Sequence, residues 1–65
     1  MDGEDNMRVR DVDGYAIVKE SYWNRYGRNA FVERVCGSLE QANYERDSLE
    51  RCDRISFIVI KGGLK

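Results

Sequence analysis

Five of the six residues at 55–60, ISFIVI, are large and apolar. On an extended strand Ile55, Phe57 and Val59 take one face, and Ile58 and Ile60 take the other. A strand that is apolar on both faces belongs inside a sheet or at a partner interface, since neither side is suited to water. The rest of the chain must therefore supply strands beside it and something to cover them. Gly62 and Gly63 stop the run. With 65 residues in all, there is room for one small domain and no second one.

Two earlier segments have β character. YAIVKESYW at 15–23 is rich in aromatic and β-branched residues and holds no glycine or proline, so it reads as a strand. The polar interval NRYGRN at 24–29 has the composition of a turn, and AFVERVC at 30–36 resumes the strand pattern. Together they predict a β-hairpin, with Phe31, Glu33 and Val35 on one face and Ala30, Val32, Arg34 and Cys36 on the other. Ahead of them residues 7–12, MRVRDV, run into the turn signal Asp13-Gly14, and form either a short edge strand or a lead-in. Residues 1–6, MDGEDN, read as a flexible acidic tail, leaving 7–65 as the domain.

The period changes at Gly37. Ser38 is a natural N-cap, and Gln41 three positions on completes the SxxQ spacing of a capping box. A helix is expected over 39–52, with Leu39, Ala42, Leu49 and Cys52 on one face and Arg46 in the same stripe, snorkelling or paired to a carboxylate. Glu40, Tyr44 and Glu50 then point outward. So thin a stripe fits one helix lying on a sheet. Counting chain directions through strand, strand, helix and strand places the last strand beside the first. The result is an α+β fold with a three-stranded antiparallel sheet in the order 2-1-3, one helix on one face. Its second face would be bare, and binding or self-association is expected there.

Several function classes fall away on composition. There is no histidine, which removes the usual general base and the commonest zinc and copper ligand. Twelve acids against eleven bases leave a net charge of -1, which argues against nucleic-acid or membrane binding driven by bulk charge. No apolar run approaches the ~20 residues of a membrane span, and the acidic N-terminus is unlike a secretory leader, so a cytoplasmic protein is expected. Cys36 and Cys52 sit at opposite ends of the expected helix, roughly 20 Å apart at 1.5 Å per residue. A disulfide needs Cα atoms within about 7 Å, so both are expected as small buried hydrophobes in a reducing compartment. Asp11 with Asp13, or Glu45 with Asp47, lack a nucleophile or metal set beside them, and Gly27 alone makes no phosphate loop. No enzyme, cofactor or metal site is expected.

One stretch stands out. SYWNRYGRN gathers Tyr22, Trp23, Arg25, Tyr26 and Arg28 about the expected hairpin tip, and these residue types dominate binding hot spots. The leading expectation is a protein-binding tip built from those five residues. The plainer alternative has Tyr22 and Trp23 plugging the core from either face while Arg25 and Arg28 solvate a turn. Two other functions compete: single-stranded nucleic-acid binding through Trp23, Tyr26, Arg25 and Arg28 with Arg8 and Arg10, and a self-associating structural subunit, since a chain this short gains by pairing.

YAIV, a polar hairpin, then glycine followed by SLEQANYERDSLE and RISFIVI resemble a class of short phage and mobile-element proteins with a strand-strand-helix-strand layout. The likeness covers residues 15–60. That class includes anti-CRISPR-like anti-defence inhibitors, which act by occupying a surface of a host complex. The resemblance implies a stoichiometric binder in a host cytoplasm, and carries over no functional residue.

Overall fold

The computed structural model describes residues 7–63, so the acidic tail expected over 1–6 lies outside them. The elements in chain order are β1 (Tyr15–Lys19), α1 (Glu20–Tyr26), β2 (Arg34–Cys36), α2 (Leu39–Asp53) and β3 (Phe57–Lys61). Single 3-10 turns occupy Val9–Asp11 and Gly27–Asn29. The sheet is antiparallel throughout in the order β2-β1-β3, the α+β arrangement and strand order that the sequence predicts. Tyr15 lies opposite Cys36 on one side and Lys61 on the other, and Lys19 lies opposite Phe57.

The central strand is buried on both faces, with Ala16, Ile17 and Val18 all fully enclosed. On one side Ile17, Cys36 and Phe57 pack against Ala42 of α2, with Tyr15, Leu49 and Val59 around them. On the other, Ala16 and Val18 meet Val9, Val12 and Ala30, bordered by Trp23, Val32, Ile58 and Ile60. The partition of Phe57 and Val59 from Ile58 and Ile60 follows the period-2 rule.

The second face is therefore not bare, contrary to expectation. Its cover comes from residues 7–13, which pair as a strand only at the isolated bridge Arg8–Phe31 before coiling into the 3-10 turn. In a 3-10 turn residues three apart eclipse one another. Val9 and Val12 thus drop onto the same side, 0% and 2% exposed, where a strand would have sent them to opposite faces.

The expected hairpin is also corrected. β1 ends at Lys19 and the chain turns at once into α1, so Tyr22 and Trp23 are helical and, among the described residues, the sheet carries two α-helices, not one. ESYWNRY contains no β-branched residue, which removes the main reason to stay extended. Gly27, at φ 60°, ends α1 and donates its N–H to Trp23 O. β2 is only three residues long, and the two expected faces of 30–36 do not carry through: Phe31, Glu33 and Val35 face water, but Arg34 is exposed as well, and Ala30 and Cys36 are buried on opposite sides of the sheet.

α2 starts where predicted. Ser38 Oγ accepts from Gln41 N–H at 3.2 Å, while the Gln41 side chain donates to Glu45 at 2.9 Å instead of closing the reciprocal half of the box. The helix ends at Arg54 in the left-handed region, φ 57°, its N–H donating to Glu50 O at 2.9 Å. Only Ala42 of the expected stripe is fully buried; Leu39 is half exposed at the first turn. Cys52 is exposed and Cys36 buried, both as free thiols, so the expectation of two buried cysteines holds for one. Arg46 finds its carboxylates, Asp47 at 3.3 Å and Glu50 at 3.7 Å. Ile55, expected in the last strand, lies exposed in the loop before β3. Among the described residues no helix is long and apolar enough to cross a membrane.

Candidate functional site

α1 and the lead-in to β1 frame an open groove of about 590 Å³ lined by Arg8, Arg10, Tyr22, Tyr26, Asn29 and Phe31. Tyr22 and Tyr26 stand four apart, one turn of helix, and so share a face. Their ring centroids are 6.1 Å apart at 74°, the edge-to-face geometry that aromatic quadrupoles favour. Arg8 and Phe31 are bridge partners, and that pairing sets the guanidinium over the ring at 4.9 Å. Two more cations roof the tyrosines: Lys19 over Tyr22 at 5.1 Å and Arg25 over Tyr26 at 5.9 Å. Arg10 follows Val9 in the 3-10 turn and is exposed where Val9 is buried.

Of the five residues expected at a single tip, the structure brings three together. Tyr22 and Tyr26 line the groove, 38% and 50% exposed, with Arg25 at its rim. Trp23 turns the other way and packs on the core beside Val9, Val12 and Ala16. Arg28 follows it: the guanidinium lies over the Trp23 ring at 5.8 Å, and Nη1 donates to Lys61 O at 3.0 Å. Arg28 thus ties the turn after α1 to the end of β3. On α1 positions 22 and 26 stand one turn apart and share a face, while 23 points another way. Phe31 and Asn29 were not anticipated at the site; no local pattern announces a bridge between residues 8 and 31.

Among the described residues that line it, the groove holds no carboxylate and no thiol. What it offers is guanidinium and amide donors around aromatic edges. On the opposite side of the sheet, burial pushes the Cys36 thiol above its ordinary value of 9.0; Glu45 adds to the rise and Arg34 opposes it. Arg34 itself bonds Glu45 at 2.6 Å, linking β2 to α2. Among the described residues no three histidine, cysteine, aspartate or glutamate side chains gather as a metal would need. No protein-family model, curated protein or solved structure matches the chain.

Proposed function

We propose that the chain is a non-catalytic protein-binding module whose groove takes a segment of another protein, acidic at its flanks and anchored by an apolar side chain. The observation that carries this reading is the state of the three groove rings: Tyr22, Tyr26 and Phe31 each have one of the chain's own cations over the ring, between 4.9 and 5.9 Å from the centroid. A nucleobase stacks on an open ring face. Here a cation engages one face of each ring, and the two tyrosines meet edge to face. Ring edges and fixed guanidinium forks remain, which suit carboxylates, backbone carbonyls and an inserted apolar group. Arg8, Arg10 and Arg25 make the groove locally basic in a chain of net charge -1.

A module of this kind acts by occupancy. A phage-encoded stoichiometric inhibitor of a host defence complex, the form implied by the resemblance noted above, would use the same groove. The test is a pull-down from bacterial lysate with wild type, Arg10→Glu and Tyr26→Ala, with and without nuclease. Both positions are exposed, so the variants should fold. A nuclease-resistant partner that both variants lose is the expected result. Capture that vanishes with nuclease, together with oligonucleotide binding that weakens steeply with salt, would replace this reading with single-strand nucleic-acid binding.

A further inference from the structure

Among the described residues β3 has only β1 as a neighbour, and its other edge faces outward. Two bonds fix which groups lie on that edge. Glu20 N–H donates to Ser56 O at 3.0 Å, and Gly62 N–H to Gly14 O at 2.8 Å. Both pairs continue the β1–β3 register, so even-numbered residues of β3 bond inward while Phe57, Val59 and Lys61 turn their N–H and C=O outward. Side chains cap the two ends of this edge. Glu50 accepts from Phe57 N–H at 2.9 Å, and Arg28 donates to Lys61 O at 3.0 Å. Between the caps, Val59 presents both its N–H and its C=O, and no partner meets them among the described residues.

We infer that this edge docks a second copy of the chain, with β3 pairing antiparallel to its twin about a two-fold axis at Val59, making one six-stranded sheet. That register is self-complementary, as a two-fold interface must be, and leaves Phe57 N–H and Lys61 C=O with the Glu50 and Arg28 side chains that already hold them. The two Val59 residues exchange a pair of bonds, and each Lys61 N–H meets the second copy's Phe57 C=O. Ile58 comes opposite the second copy's Ile60, so isoleucines that are only half buried at the edge of one chain cover each other across the seam. The charges match as well. Glu50, held at Phe57, comes beside the second copy's Lys61 and the Arg28 bound there. β2, the opposite edge, is three residues long and exposes Arg34 and the preceding Glu33, the usual protection against such pairing. Residues 57–60 carry no charge at all.

Sedimentation velocity of the full chain from about 1 to 100 µM reads the association directly. Wild type is expected to become dimeric within that range. Val59→Pro removes only an outward N–H, a change that edge strands tolerate, and Lys61→Glu sets like charge against Glu50. Each should weaken dimerisation tenfold or more with an unchanged circular dichroism spectrum, while Tyr26→Ala in the groove leaves it unaltered. A wild type that stays monomeric throughout, or Lys61→Glu dimerising as wild type does, overturns the inference; if Val59→Pro fails to fold, Lys61→Glu decides.

Discussion

Gly62→Ala is a sharp test of how the second face of the sheet is closed. A Cβ placed on Gly62 would lie 2.6 Å from Val12 Cβ, 2.7 Å from Val12 O and 2.8 Å from Val12 Cγ1. Val12 is 2% exposed and held in the core, so it cannot swing away. Gly62 is not among the positive-φ glycines, and its backbone would otherwise accept alanine. Crowding a packed core costs about 1–3 kcal/mol. Pushing the segments apart also weakens the bond from Gly62 N–H to Gly14 O, worth roughly 1 kcal/mol. The sum, about 2–4 kcal/mol, is a large part of the ~3–10 kcal/mol expected for a chain of 65 residues. Two neighbouring substitutions calibrate it. Gly63→Ala has its nearest contact at 3.4 Å but sits at φ 78°, and should cost about 1–2 kcal/mol through the backbone alone. Gly37→Ala meets nothing within 4 Å and should be neutral or stabilise by about 0.4–1 kcal/mol. Urea unfolding followed by the fluorescence of Trp23, the sole tryptophan, measures all three. Gly62→Ala within about 0.5 kcal/mol of wild type, or Gly37→Ala as damaging as Gly62→Ala, would refute the packing argument.

Trp23→Ala should lower stability by about 2–3 kcal/mol, read by circular dichroism in urea, while Tyr26→Ala stays within about 0.5 kcal/mol, because only the former packs on the core. Ser38→Ala should cost about 1 kcal/mol through loss of the bond to Gln41 N–H, checked by the urea midpoint. A thiol reagent should modify exposed Cys52 at once and buried Cys36 only as fast as the fold opens, seen as two phases in the absorbance of the released thiolate. Since the Cys36 thiol is raised in the fold, the unfolded chain releases that proton first as pH climbs past about 9, and binds fewer protons than the native state. Stability should therefore fall above pH 9.0, by an amount that Cys36→Ala removes from the slope.

What could be read in the sequence was local or topological. Ser38 with Gln41 marked the start of α2 to the residue, and the turn count alone placed β3 beside β1. The two faces of β3 followed from alternation. The failures share a cause. α1 spans seven residues, too short for a 3.6-residue period to show, and its aromatic content imitated a strand. On an extended lead-in Val9 and Val12 fall on opposite faces, and only the 3-10 turn brings both to one side. Those two misreadings together produced the imagined bare face and the imagined hairpin tip. At the site, Tyr22, Arg25 and Tyr26 were legible because they are adjacent in sequence. Phe31 and its partner Arg8 were joined only by a bridge across 23 positions, which no local pattern encodes.

The closure of the second face also sets an order of events during synthesis. Gly63 N–H donates to Val9 O at 3.1 Å, between the two arginines of the groove wall, and Gly62 fastens to Gly14 just beyond it. Arg28 reaches Lys61 from the other end of α1. None of these fastenings exists while residues 61–63 are still within the ribosome, and β1 lacks one of its two neighbours until then. The groove takes shape only after nearly the whole fold has been translated, so a nascent or prematurely terminated chain displays the arginines and tyrosines without the geometry that makes them a surface.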